Sequence, residues 1–140
     1  MPEVADQERL EPKLADLLDD DLEGELEDEG ARRKDYIYCA VCSTVIGRRG
    51  DRAEVNGSHD HRFTNPYGLL FHVGCFSQAL GCEIAGPPQR ADTWFMGFQW
   101  RIANCSDCRR HLGWYFDRIA APGREFFYGL ILDRIQYDSD

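Results

Sequence analysis

Apolar and polar positions along this chain alternate in short stretches, and those stretches mark its elements. Trp100 and Ile102 alternate with polar neighbours, as do Leu112, Trp114 and Phe116. Period two is the pattern of a strand with one face turned to a core, so both stretches read as strands joined through Cys105-Ser106-Asp107-Cys108. A β-prone run, Tyr36-Ile37-Tyr38, leads into Cys39-Ala40-Val41-Cys42 and is followed by Val45 and Ile46, which places that pair in a tight reversal between strands. Phe63-Thr64, Leu69 to Val73 and Phe126 to Leu132 are further short runs rich in β-branched and aromatic residues. Turn signals separate them: Gly47 to Gly50, Asn56-Gly57, Asn65-Pro66-Tyr67-Gly68, Gly86-Pro87-Pro88 and Pro122-Gly123. Many short strands with such turns predict an antiparallel all-β domain. Only Cys75 to Leu80 reads as a helical turn, and there is no internal repeat.

Charge divides the chain in two. Thirteen of the 25 acidic residues lie within residues 1–30, against Arg9 and Lys13, while the remainder carries 12 acids and 14 bases. Residues 1–34 therefore read as an acidic disordered tail and residues 35–140 as one domain with a core of its own. Leu14, Leu17, Leu18 and Leu22 would also suit one side of a transient helix that docks a partner. A near-neutral domain lacks the clustered Lys and Arg that nucleic acid requires, so no nucleic-acid partner is expected. No apolar run approaches the roughly 18 residues of a membrane span, and the acidic N-terminus is unlike a signal peptide. The expectation is a cytoplasmic chain without a membrane partner. Six cysteines in that setting point to metal binding or free thiols rather than a disulfide framework.

Four of those cysteines form two Cys-x-x-Cys pairs, Cys39/Cys42 and Cys105/Cys108. Each pair lets one reversal offer two thiolates to a tetrahedral ion, and two pairs make a closed four-sulfur site. Zinc there would be structural, contributing to folding and not to catalysis. Two unrelated reduced pairs or a redox motif is the competing reading; zinc is preferred because both pairs follow strands. Cys75 and Cys82 fit neither knuckle and read as small buried hydrophobes, with a reactive thiol as the alternative. His59 and His61 alternate on an expected strand, but only Asp60 is at hand and it should face the other way. Those two histidines, with His72 and His111, read as ordinary polar residues.

All three tryptophans fall between Trp94 and Trp114, around the second Cys-x-x-Cys. Large aromatics at strand spacing serve either as core or as the walls of a ligand site. A cage of indoles suits a cation held over ring faces, or a flat ring whose methylenes pack on indoles while its polar edge meets backbone groups. Composition does not choose between them.

Several motifs in fixed order carry a resemblance. Cys-x-x-Cys is followed by His59-Asp60-His61-Arg62-Phe63-Thr64-Asn65-Pro66-Tyr67-Gly68, Gly74-Cys75-Phe76, and Thr93-Trp94-Phe95-Met96-Gly97-Phe98-Gln99-Trp100. Ile102-Ala103-Asn104-Cys105, His111-Leu112-Gly113-Trp114 and Phe127-Tyr128-Gly129-Leu130-Ile131 complete the set. Together, over roughly residues 36 to 135, they resemble the thalidomide-binding (CULT) domain of the cereblon family, most of all its small stand-alone bacterial members. The resemblance implies a β-tent of two antiparallel sheets pinned by a structural Zn²⁺ on Cys39, Cys42, Cys105 and Cys108. It implies a non-catalytic module whose pocket takes cyclic imides (glutarimide, thalidomide-like rings), uracil-like rings, or a protein C-terminus that has cyclised. Trp94, Trp100 and Trp114 match the three cage tryptophans and Phe116 the aromatic of the fourth side. Asn65 and Pro66 match the pocket rim and Phe71 an aromatic beneath it. Backbone groups of Asp92 and Trp94 match those that meet the imide edge, with Thr93 between them in the expected ligand-binding set.

An imide offers an N–H flanked by two carbonyls, which a strand edge can answer with one C=O and adjacent donors. Animal members of the family have a histidine where this chain has Asp92; the backbone bonds survive that change, but a side-chain donor is lost. The ligase-joining helical segment of cereblon and its Lon-like region have no counterpart here, so a ubiquitin-ligase adaptor role is not implied, and a monomer is expected. Two other classes stay open. One is a zinc-containing methionine sulfoxide reductase, for which no cysteine follows Cys108. The other is a reader of methylated cations.

Overall fold

Nine strands form in residues 35–137, the part of the chain that the computed structural model describes. They are β1 (Tyr36–Cys39), β2 (Val45–Arg48), β3 (Asp60–Thr64), β4 (Leu70–Phe76), β5 (Cys82–Gln89), β6 (Phe98–Cys105), β7 (His111–Arg118), β8 (Phe127–Ile131) and β9 (Ile135–Tyr137). Every ladder is antiparallel. A small sheet has the order β2-β1-β9 and a large one the order β3-β4-β8-β7-β6-β5, so the fold is all-β with two antiparallel sheets. The acidic segment 1–34 lies outside the described residues. No helix among the described residues is long and apolar enough to cross a membrane.

The large sheet is covered on both faces, which gives the structure two apolar clusters. On one face Ala103, Cys105, Leu112, Tyr128 and Leu130 meet Ile37, Cys39, Ile46 and Ile135 of the small sheet. On the other, Cys75, Phe116 and Phe127 gather around Phe95, with Phe63, Trp94, Trp100 and Trp114 packed at the margin. Strand β8 lies between them and is buried at all five positions, so its sequence cannot alternate. The close approach of β7 and β8 depends on glycine: a Cβ on Gly113 would stand 2.0 Å from the carbonyl oxygen of Gly129.

Three expectations are corrected. Cys75 to Leu80 makes no helical turn; Cys75 and Phe76 complete β4, where Cys75 pairs with Gly129 and Phe76 with Tyr128, and pairing with β8 outweighs local propensity. The only helical turns among the described residues are 3₁₀ turns at Arg49–Asp51 and Leu132–Arg134. Gly86-Pro87-Pro88 does not end a strand. Those residues lie within β5, an edge strand whose register with β6 shifts between Ala85 and Gln89. Proline has no N–H to give a ladder, and an irregular edge is where it costs least. Finally, Leu112 does not share a face with Trp114 and Phe116. The β6–β7 register slips between Ala103 and Asn104, and this bulge turns Leu112 to the cluster beneath the small sheet while Trp114 stays on the aromatic side.

Candidate metal centre and aromatic pocket

The two Cys-x-x-Cys segments fold into the same shape. In the first, Ser43 N donates to Cys39 O at 2.9 Å and Cys39 N to Thr44 O at 2.9 Å; in the second, Arg109 N donates to Cys105 O at 3.0 Å and Cys105 N to Arg110 O at 2.8 Å. Ser43 and Arg109, each one residue past the second cysteine, take left-handed φ values of 66° and 69°. One reversal closes β1–β2 of the small sheet and the other closes β6–β7 of the large sheet, so the sulfurs meet where the sheets meet. All four Sγ atoms lie within 4.8 Å of one another, with Cys39–Cys108 at 3.7 Å and Cys42–Cys105 at 3.6 Å. A tetrahedron with metal–sulfur bonds of about 2.3 Å has edges of about 3.8 Å, so this cluster could hold a metal ion.

The electrostatics point the same way. The hydroxyl and backbone N–H of Thr44 hold the Cys42 thiol down to about 6. Cys108 has the Arg110 backbone N–H to favour its thiolate, yet desolvation and the neighbouring sulfurs push it up to about 12. Thiolates packed this closely suppress one another's ionisation, and a divalent cation removes the conflict. Thr44 Oγ1 stands 3.1 Å from Cys42 Sγ and 3.3 Å from Asp107 Oδ2, linking the two knuckles outside the sulfurs.

Beyond the sheet's other face lies a cavity of about 470 Å³ lined by Asn65, Pro66, Tyr67, Phe71, Asp92, Trp94, Trp100, His111, Trp114 and Phe116. Trp100 comes from β6, Trp114 and Phe116 from β7, and Trp94 from the loop before β6. All three indoles are half-buried. Trp94 and Trp114 meet edge-to-face at 4.8 Å and 77°, Phe71 meets Trp114 at 5.5 Å and 81°, and Phe63 stacks behind Trp94 at 4.6 Å and 11°. Phe116 differs from the indoles: it is 1% exposed and stacks on Phe127 at 5.0 Å, so it is floor and core at once. Asn65 builds the rim. Its Oδ1 accepts from Tyr67 N and Leu69 N, both at 2.9 Å, and its backbone pairs with Leu69 to close the loop. Asp92 is exposed and holds a left-handed φ of 58°, which a short polar side chain tolerates and which turns the chain into the Trp94 loop. Thr93 does not line the cavity; its hydroxyl contacts Phe95 O at 3.3 Å and Phe95 N at 3.4 Å and shapes the same loop.

The polar groups of the cavity can be counted by their partners. Trp100 Nε1 donates to Ala91 O at 2.9 Å, Asn65 Oδ1 is taken by its loop, and His111 Nε2 is 2.9 Å from Gly113 O. The indole N–H groups of Trp94 and Trp114 meet no acceptor among the described residues. Asp92 is the one carboxylate of the lining. Flat apolar walls with a few polar groups suit a small ring that carries a polar edge.

Two lining residues, Tyr67 and His111, were not singled out by the sequence. Tyr67 sits inside the rim motif and His111 inside a quoted segment, but a tyrosine beside a turn and an isolated histidine carry no signal of their own. The bulge at Leu112 is what brings His111 to the Trp114 face, with rings 5.0 Å apart. The other histidines are engaged elsewhere: His59 Nδ1 is 3.3 Å from Ala53 O, His61 stacks on Phe63 at 5.5 Å, and His72 pairs with Asp60 at 2.9 Å. Among the described residues, the cysteine quartet is the only group of three or more potential ligands brought together. Cys75 and Cys82 are not members of it, although Cys82 pairs with Cys105 across the β5–β6 ladder; burial pushes both thiols up to about 12, and at Cys82 the nearby Cys105 and Cys39 add to the effect.

A fold of this class, with two antiparallel sheets meeting at a four-cysteine cluster and an aromatic pocket on the outer face, can now be set beside known proteins. No protein-family model matches the chain. It is similar to protein cereblon of Xenopus tropicalis, 31% identical over 75 residues that cover 53% of this chain and 17% of that protein. It is also similar to protein cereblon of Drosophila pseudoobscura pseudoobscura, 28% identical over 105 residues covering 71% of the chain and 17% of the relative, and of Danio rerio, 32% over 71 residues covering 49% and 16%. The chain thus carries a cereblon-like domain, and its match spans about a sixth of the length of these relatives.

Proposed function

We propose that this domain is a non-catalytic binding module for cyclic-imide or uracil-like rings, held in shape by a structural zinc ion on Cys39, Cys42, Cys105 and Cys108. The observation that carries the reading is the convergence of three half-buried indoles on one cavity. A tryptophan used only as core would bury its whole face, as Phe116 does. The walls supply affinity by covering the ring's methylenes, and backbone groups of the loop from Asp92 to Trp94 answer its polar edge. Each such bond contributes about 0.5–1.5 kcal/mol net. Similarity to cereblon, together with motifs that resemble those of the family's thalidomide-binding domain, supports the ligand class. The ligand is a free ring or the cyclised end of a protein chain; no nucleic acid, membrane or ligase adaptor is invoked, and the module acts as a monomer in the cytoplasm.

Zinc is proposed for the metal because four thiolates in a closed tetrahedral set match its preferences. Binding without turnover accords with the lining, which holds no cysteine; Cys75 lies fully buried in the core beneath it. The test is tryptophan fluorescence of the zinc-loaded chain titrated with glutarimide and with N-methylglutarimide. A saturable change with the first and none with the second is expected. Response to tetramethylammonium but to neither imide would instead favour a reader of methylated cations, and silence throughout would return the indoles to a structural role.

A further inference from the structure

We propose that Arg134 is a positioning residue for the pocket: from the 3₁₀ turn after β8 it fixes His111 as the neutral Nε2–H tautomer, and His111 in turn seats the indole of Trp114. The argument is one of donors and acceptors. His111 Nε2 lies 2.9 Å from the Gly113 carbonyl oxygen, which can only accept, so Nε2 must carry the hydrogen. His111 Nδ1 lies 3.5 Å from Arg134 Nη1, which can only donate, so Nδ1 must offer its lone pair. Only the neutral Nε2–H imidazole satisfies both neighbours. Arg134 is itself held in place, donating from Nη1 to His111 O at 2.9 Å and lying with its guanidinium 5.9 Å from the Phe71 ring centroid.

A protonated His111 would place two cations side by side, and burial already lowers the ring's pKa before Arg134 lowers it further, against the Gly113 carbonyl that raises it. Arg134 is the charged group in contact with the ring; the Asp92 carboxylate and the Tyr67 phenol share its cavity. With both nitrogens engaged, His111 has nothing to offer a ligand by hydrogen bonding. It acts instead through its ring, which meets Trp114 at 5.0 Å and 85°, and Trp114 in turn meets Trp94. The wall is therefore set by a pair reaching from the Leu132–Arg134 turn to β7, and it stays uncharged where a free histidine would titrate.

The ligand readout rests on the function proposed above, but the chemistry of the pair does not. The experiment is nitrogen-detected histidine NMR on the full, zinc-loaded chain from pH 7.5 to 5.5, for the wild type, Arg134→Leu and Arg134→Lys, with glutarimide affinity measured in parallel. The wild type should show His111 as the Nε2–H tautomer, protonating at a lower pH than an ordinary histidine. Arg134→Leu should release the tautomer, let His111 titrate, and weaken glutarimide about threefold to tenfold in a pH-dependent way, the loss expected for one hydrogen bond's worth of positioning. Arg134→Lys, which keeps a cationic donor, should restore the tautomer. An Nδ1–H tautomer in the wild type, or wild-type tautomer and titration in Arg134→Leu, overturns the proposal. A released tautomer without glutarimide binding to any variant supports the pair and refutes the ligand reading.

Discussion

Trp100 and Phe116 line the same cavity from paired positions on β6 and β7, yet their substitution by alanine should do opposite things. Phe116 is 1% exposed, with Phe95 at 4.9 Å and Phe127 at 5.0 Å around its ring. Truncating a core phenylalanine of this kind costs about 3–5 kcal/mol, a large share of the roughly 5–15 kcal/mol that holds a domain folded. Trp100 is half-buried. If about half of its roughly 200 Å² leaves water on folding, at about 25 cal/mol per Å² the side chain contributes about 2.5 kcal/mol, and its bond to Ala91 O is solvent-exposed and adds little. Trp100→Ala should thus cost about 2.5 kcal/mol and leave the domain folded, while a missing wall of that size should weaken glutarimide by about 30-fold or more. Phe116→Ala should unfold about 10 °C lower than Trp100→Ala, and its folded fraction should keep the larger part of the affinity. Circular dichroism melts in the presence of zinc, paired with titrations below each midpoint, separate the two. Equal destabilisation by both substitutions would show that Trp100 is core and would refute the distinction between wall and floor.

Three more expectations follow from other parts of the molecule. Chelation of the metal, or Cys105→Ser, should abolish cooperative unfolding, because a structural zinc site contributes about 10–16 kcal/mol in small zinc domains and exceeds typical domain stability; hydrogen exchange should show β1, β2 and β9 losing protection with the metal, and retention of that protection would argue against a pinning role. Gly113→Ala should cost more than 3 kcal/mol, since its Cβ would meet Gly129 O at 2.0 Å and backbone cannot move aside as a side chain would; urea unfolding reads the loss, and a change below 1 kcal/mol would mean the strands separate freely. Acidification should also cost stability. Burial depresses His111 below its ordinary 6.5, so as pH falls through 6.5 the unfolded chain takes the proton first and stability declines until the folded value is reached. His111→Phe should flatten that part of the profile in pH-dependent melts.

Residue type made the candidate metal centre legible: two Cys-x-x-Cys pairs after β-prone runs favour a shared metal over separate redox pairs, and the fold brings all four sulfurs close enough to hold an ion. Period two found β6 and most of β7, because Trp100 and Ile102 on one and Trp114 and Phe116 on the other repeat at every second position, although both faces of these strands are covered. It failed wherever the ladder slips. The bulge opposite Ala103 and Asn104 sends Leu112 one way and His111 the other, and a bulge leaves no mark in the hydrophobic pattern. It was equally silent for β8, sandwiched between clusters, and for β5, where an edge position tolerates Pro87 and Pro88. Residue pattern alone located the tryptophans without assigning them, since core and wall call for the same residue; their reading as a cage came from the family resemblance. Half-burial and the orientation of Trp94 against Trp114 emerge only when the loop before β6 folds over the sheet. Arg134 had no signal at all: its role depends on a 3₁₀ turn that carries it 23 residues back along the chain to His111.

The central claim is that three indoles face one ring-binding cavity, and the indole N–H resonances test it most directly. In a ¹⁵N–¹H spectrum of the zinc-loaded chain each tryptophan gives one such signal, assignable by single substitution to phenylalanine. Saturation with glutarimide should move the signals of Trp94 and Trp114, whose N–H groups meet no acceptor among the described residues, and shift Trp100 less, since its N–H is held by Ala91 O. The amides of Ser43 and Arg109 in the two knuckles should stay still. Indole signals that ignore glutarimide, while the chain is folded and metal-loaded, would contradict the assignment of this cavity as the site.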